Sequence, residues 1–222
     1  MKRTTRDVLA ACGLAVLMAV AATQAASAQG MAPPGMASAP GAADRPIRIR
    51  GAIEQVDGAA ITVKARDGTN MVVKLTDTGT VRGIVAVTLA DVKQGSYIGV
   101  SAMPQPDGSQ KAMHIHIFPE AMRGTGEGFS QWDNVPGSTM TNAAVDNRVT
   151  GVDGETLTLK YKDGEKKIIV PKGIPIVTYL PGTKDELKPG AKVIVIGARK
   201  QADGSYLAPS ISVGRDGLTP PM

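Results

Sequence analysis

At 222 residues and a formal net charge of +5, the chain has room for one large domain or two small ones. The charge is too mild, and the aromatics at 3% too few, for a nucleic-acid binder, which needs a basic surface and ring faces on which bases stack. A single cysteine, Cys12, excludes a disulfide framework.

The amino terminus reads as a targeting segment. Lys2, Arg3 and Arg6 precede an apolar run from Val8 to Ala22, and Ala26, Ser27 and Ala28 supply the small-residue pattern at which signal peptidases cut. Residues 1–28 are therefore expected to be a cleaved signal peptide, with the mature protein in the periplasm or secreted. Most of the apolar run follows Cys12 instead of preceding it, which argues against lipidation there. Cleavage would remove Cys12 and take the net charge from +5 to +3. The run is shorter than the roughly 20 residues a spanning helix needs, so no transmembrane segment is expected after cleavage. Residues 29–46, "QGMAPPGMASAPGAADRP", lack periodicity and predict a disordered Ala/Pro/Gly/Met leader.

Beyond the leader the chain repeats itself. "VDGAAITVKARDG" from Val56 to Gly68 returns as "VDGETLTLKYKDG" from Val152 to Gly164. Each copy of such a repeat should be a unit that folds in the same way. Ile61, Val63 and Ala65 alternate with Thr62, Lys64 and Arg66, as Leu157, Leu159 and Tyr161 do with Thr158, Lys160 and Lys162; a period of two predicts a strand with one apolar face. Asp67-Gly68 and Asp163-Gly164 predict hairpin turns leading into strands near 71–75 and 167–170. "TLADVKQG" (88–95) and "TKDELKPG" (183–190) then each place an acid three residues after a threonine and end on glycine, the pattern of one capped helical turn. A hairpin closes each copy: 96–103 with 111–118 across "QPDGS", and 191–198 with 207–213 across "QADGS".

Three strands, a helical turn and two further strands is the order of the oligonucleotide/oligosaccharide-binding (OB) barrel, a five-stranded Greek key. With its recurring "VDG", "DG" and "LKPG" punctuation, the chain resembles a bacterial family of exported proteins with tandem OB-like domains of unknown function. The resemblance implies an all-β fold, with one OB-like barrel over 47–118 and a second over 145–215, a junction loop at 119–144 and a tail at 216–222. It implies an envelope location and carries over no catalytic residue.

The junction is where the copies differ. It brings together Trp132, the single tryptophan, and both phenylalanines, Phe118 and Phe129, beside Arg123. Aromatics concentrated in a connector are expected to seat the two barrels against each other, with an exposed partner or ligand loop as the alternative. The histidines, His114 and His116, lie two apart on a strand and so share a face. Ser210 and Ser212 occupy the matching places in the second copy, so the first expectation is a pair of solvated polar positions. The alternative is a Cu, Zn or Ni site completed by Glu120 from the junction.

No HExxH or GxSxG motif occurs, and no thiol would survive cleavage. The sequence therefore points to a non-enzymatic envelope binding module whose partner is a protein or a surface polymer. A periplasmic metal-binding protein is the alternative, and a hydrolase of envelope polymers a second one.

Overall fold

The computed structural model describes residues 45–151 and 154–221. The expected signal peptide, nearly all of the leader, and Val152 and Asp153 at the start of the second repeat lie outside the described residues. The fold is all-β. Among the described residues, helix occurs as three single 3-10 turns, at Leu89–Asp91, Glu120–Met122 and Lys184–Glu186.

The first repeat supplies β1 (Ile47–Asp57), β2 (Ala60–Ala65), β3 (Asn70–Ala86), β4 (Tyr97–Pro104) and β5 (Gln110–Ile117). The junction supplies β6 (Gly128–Gln131) and the start of β7 (Thr139–Gly151). The second repeat continues with β8 (Gly154–Tyr161), β9 (Gly164–Pro171), β10 (Ile176–Pro181), β11 (Lys192–Lys200) and β12 (Tyr206–Gly214). Alternation sets the faces as expected: Ile61, Val63, Leu157 and Leu159 point inward and are essentially inaccessible.

The capped turns form as their spacing predicts. Asp91 Oδ2 accepts from the Thr88 backbone N–H at 2.8 Å, and Glu186 Oε1 from that of Thr183 at 3.1 Å. The two DGS hairpins are also near copies of each other. Asp107 Oδ1 accepts from the Ser109 N–H and hydroxyl, Asp203 Oδ1 from those of Ser205, and Gly108 and Gly204 take φ of 82° and 83°.

One barrel per repeat is not what the pairings make. β1, β2 and β3 close a five-stranded barrel with β11 and β12, through β1–β11 antiparallel and β3–β12 parallel ladders. The other strands form a second ring, β5-β4-β7-β8-β9, joined by the parallel pairs Gln110↔Ile168 and Lys111↔Ile169. Each ring thus takes three strands from one repeat and two from the other. The boundaries 47–118 and 145–215 mark repeats, and the closed units are exchanged between them.

The cause is the length of β3. Its first part pairs with β2, while its last residues, 82–86, leave that partner and pair with β10. The chain is thereby carried across to the other ring before β4 begins. Ile84 pairs with Tyr179, the residue at the matching distance before the second capped turn, so the β3–β10 ladder joins corresponding stretches of the two sequence repeats.

The apolar faces fill two cores. Ile49, Ile53, Val63, Val195 and Ile211 are central to the first, and Ile98, Ile115, Leu157, Leu159 and Ile168 to the second. Each such fully buried aliphatic side chain contributes about 1.5–3 kcal/mol relative to its exposed state. A third cluster, Ile84, Tyr97, Phe118, Val177, Tyr179 and Ile194, lies on the outer faces of the rings and joins them.

Candidate functional site

The polar faces of the two rings are turned toward each other. On the first ring, Ile49, Val193, Val195, Ile211 and Val213 face the core, which leaves Arg48, Arg50, Ile194, Ile196, Ser210, Ser212 and Arg82 on the opposite side of the same strands. On the second ring, Ile98, Val100 and Ile115 face the core, leaving Gly99, Ser101, His114 and His116 outward. A cleft of about 600 Å³ lies between these faces, lined by His116, Phe118, Met140 and Asn142 from the second ring and by Arg48, Arg82, Ile196, Ser210 and Ser212 from the first, with Tyr179 of β10 beside Arg82's strand and Trp132 and Met122 at its margin. A more open hollow of about 450 Å³ beside Gly79, Arg82 and Lys184 has no aromatic wall.

The histidines are not solvated. His114 and His116 are 2% and 4% exposed, because the face expected to meet water meets the other ring. Burial, reinforced by the charge of Arg50, pushes His114 down to about 4; burial and the neighbouring His114 push His116 down to about 3. Both imidazoles are therefore neutral at pH 7. His116 lies over Gly99, where any Cβ would overlap its Nε2 and Cε1 and press on Asn142 Oδ1. Its ring meets the edge of Phe118 with centroids 4.6 Å apart, and Phe118 stacks on Tyr179 at 5.8 Å. Burial also raises the Tyr179 hydroxyl well above its ordinary value.

Several polar atoms around this cleft have no hydrogen-bond partner among the described residues. They include His114 Nε2, His116 Nδ1, Trp132 Nε1, Asn142 Oδ1 and Ser101 Oγ, all inaccessible. A buried polar group left unpaired costs about 1–3 kcal/mol, so a cluster of them beside a cleft calls for an explanation.

The junction contributes through Trp132, Asp133 and Asn134. Arg48 lies 4.1 Å over the half-buried Trp132 ring, and Arg50, 11% exposed, donates to Asp133 Oδ1 at 2.7 Å. Burial would raise the Asp133 carboxyl, but the hydrogen bond and charge of Arg50, with help from Arg48, hold it below its ordinary value. Arg66 Nη1 donates to Asn134 Oδ1 at 3.2 Å. The loop after β6, a strand paired to the second ring, thus docks on β1 and on the turn after β2 of the first.

Of the residues singled out from sequence, Phe118, Trp132 and His116 line the cleft, and His114 is buried beside His116 with ring centroids 6.3 Å apart. Three others lie elsewhere. Phe129 is exposed with Lys166 Nζ 4.5 Å from its ring centre. Arg123 is held by Glu120 and by the Gly95 carbonyl, and Glu120, 77% exposed, is bound to Arg123 and does not approach the histidines. No group of three or more His, Cys, Asp or Glu converges among the described residues.

Sequence reasoning missed Arg82, Asn142, Met140 and Tyr179. Arg82 carried a signal in hindsight, being a charge at the place where the second repeat has Val177. No family model matches the chain, and no curated protein or solved structure matches it either.

Proposed function

We propose that this protein is a non-enzymatic binding protein whose ligand is a small molecule held in the cleft between the two rings. One observation carries the proposal: a preformed cleft of about 600 Å³ walled by Phe118, Tyr179 and Met140, with unpartnered polar atoms of His116, Trp132 and Asn142 buried just behind its lining. Apolar walls with a few convergent polar groups, in a volume of roughly 300–1,000 Å³, are the usual form of a small-molecule site. The partner expected from sequence, an envelope protein or polymer, gives way in this proposal to a small ligand. We keep the OB-like ancestry of the two halves and an exported location as parts of the same proposal, the latter resting on the charged, apolar and Ala-Ser-Ala pattern of residues 1–28.

A neutral aromatic dye, N-phenyl-1-naphthylamine, tests the site. It should bind with enhanced dye emission and quenching of Trp132, and Ser210→Trp, which fills the cleft from β12, should abolish the binding while leaving the melting profile cooperative. Equal binding by the filled variant would overturn the cleft as the site.

A second reading has its own support, since two neutral imidazoles with unpartnered nitrogens lie side by side on β5. Titration of untagged protein with Cu, Zn and Ni salts separates it from the first. Micromolar binding lost in the double variant His114→Ala, His116→Ala would favour the metal, and dye binding unaffected by saturating metal would leave the cleft to an organic ligand.

A further inference from the structure

The electrostatics of the cleft are one-sided. Arg48 and Arg82 line it, and no carboxylate does so among the described residues. Arg48 is engaged by Asp133 and by the Trp132 ring, whereas Arg82, half-buried, has no hydrogen bond or ion pair among the described residues. A half-buried arginine without a counter-charge keeps guanidinium donors that an anion in the cleft can satisfy. Its surroundings supply the rest of an oxyanion site. Ser212 is the register neighbour of Arg82 across the parallel β3–β12 ladder, and Ser210 is one step along on the same face. Both hydroxyls line the cleft with Arg82.

The adjoining wall differs in kind. Phe118 and Tyr179 stack there, His116 abuts Phe118 edge-on, and Met140 lies alongside. None of these side chains is charged at neutral pH, so the cleft has a cationic side and an apolar, aromatic side. The repeat explains how this arose without a dedicated loop: His114 and His116 on β5 and Ser210 and Ser212 on β12 are equivalent positions that the strand exchange turns toward one another.

Resting on the cleft as the binding site, we propose that its ligand is an amphiphilic organic monoanion. Its apolar or aromatic body lies on the Phe118–Tyr179 wall, and its carboxylate or sulfonate is held by Arg82 with the hydroxyls of Ser210 and Ser212. Arginine suits this task because its planar fork presents two parallel donors to an oxyanion.

A pair of dyes with one aromatic body tests the charge separately from the cleft. 1-Anilinonaphthalene-8-sulfonate carries a sulfonate that N-phenyl-1-naphthylamine lacks. The wild-type chain should bind the sulfonate dye about tenfold or more tightly than the neutral one, the preference a charge-assisted contact of 1.4 kcal/mol or more confers. Arg82→Gln should erase that preference, weakening the sulfonate dye about tenfold more than the neutral one, and Arg82→Lys should restore part of it. Retained neutral-dye binding also reports that the variant is folded. Equal binding of both dyes by the wild type, or an unchanged preference in Arg82→Gln, would overturn the anion assignment and leave the cleft standing. Neutral-dye binding that persists in Ser210→Trp would overturn the cleft itself. Failure of both dyes to bind the wild type would count against both readings.

Discussion

At the scale of single residues, His114 and His116 show how position outweighs chemistry. The same imidazoles on a wet strand would titrate near 6.5; under the opposing ring, burial holds them at about 4 and about 3. Because both values are depressed in the folded state, the unfolded chain takes up protons first as pH falls below about 6.5. The stability they allow is therefore present above that pH and is lost as pH drops toward the folded values. Urea unfolding should show the wild type losing roughly 2–4 kcal/mol between pH 7 and pH 5, with the double variant His114→Gln, His116→Gln nearly flat over that window. A wild type and variant with equal slopes would mean that the imidazoles are hydrated in the folded protein. The sequence could not reveal this. A polar position alternating with core residues has the same pattern whether water or another barrel lies beyond it, and Ser210 and Ser212 in the matching copy favoured the wet reading.

At the scale of elements, local chemistry is repeated so closely that it makes a quantitative comparison. Gly108 and Gly204 stand at φ of 82° and 83° in the two DGS hairpins, with no atom near enough to meet an added Cβ at either. Only backbone conformation then penalises alanine, so Gly108→Ala and Gly204→Ala should each cost roughly 1–2 kcal/mol, and nearly the same amount. Thermal melts check this. A large difference between the two would reveal a tertiary contact at one hairpin. These hairpins, the capped turns at Leu89–Asp91 and Lys184–Glu186, and the inward sets around Ile61 and Leu157 were all legible, because each depends on residues a few positions apart. The extent of β3 was not. Its 17 residues run through "TDTGTVRG", a stretch whose Asp, Thr and Gly content reads as a loop, and its final portion is held as strand by pairing with β10 and β12, far away in sequence.

At the scale of the whole molecule, strand exchange is the feature that sequence was least able to disclose. When two halves are near copies, β4–β5 and β11–β12 fit either ring by pattern, and only the path of β3 decides between them. The exchange also makes the halves inseparable under native conditions. Cleavage at an engineered protease site within the exposed stretch 124–127, between the repeats, should leave two fragments that co-elute as one folded particle on gel filtration. They should part only in denaturant. Two independent barrels on a linker would instead separate without it. The same arrangement predicts a single unfolding transition for both rings, because neither retains all five strands if one half unravels.

The pairing of β3 with β12 has a bearing on biogenesis. Strands at the head of the described chain wait for partners near residue 206, so as the polypeptide emerges its first ring stays incomplete until β12 has been made. In a nascent chain β1, β2 and β3 thus lack their barrel partners while β4 to β10 are made. Under the export proposed above, such delay would keep these strands open for passage through a narrow translocation pore.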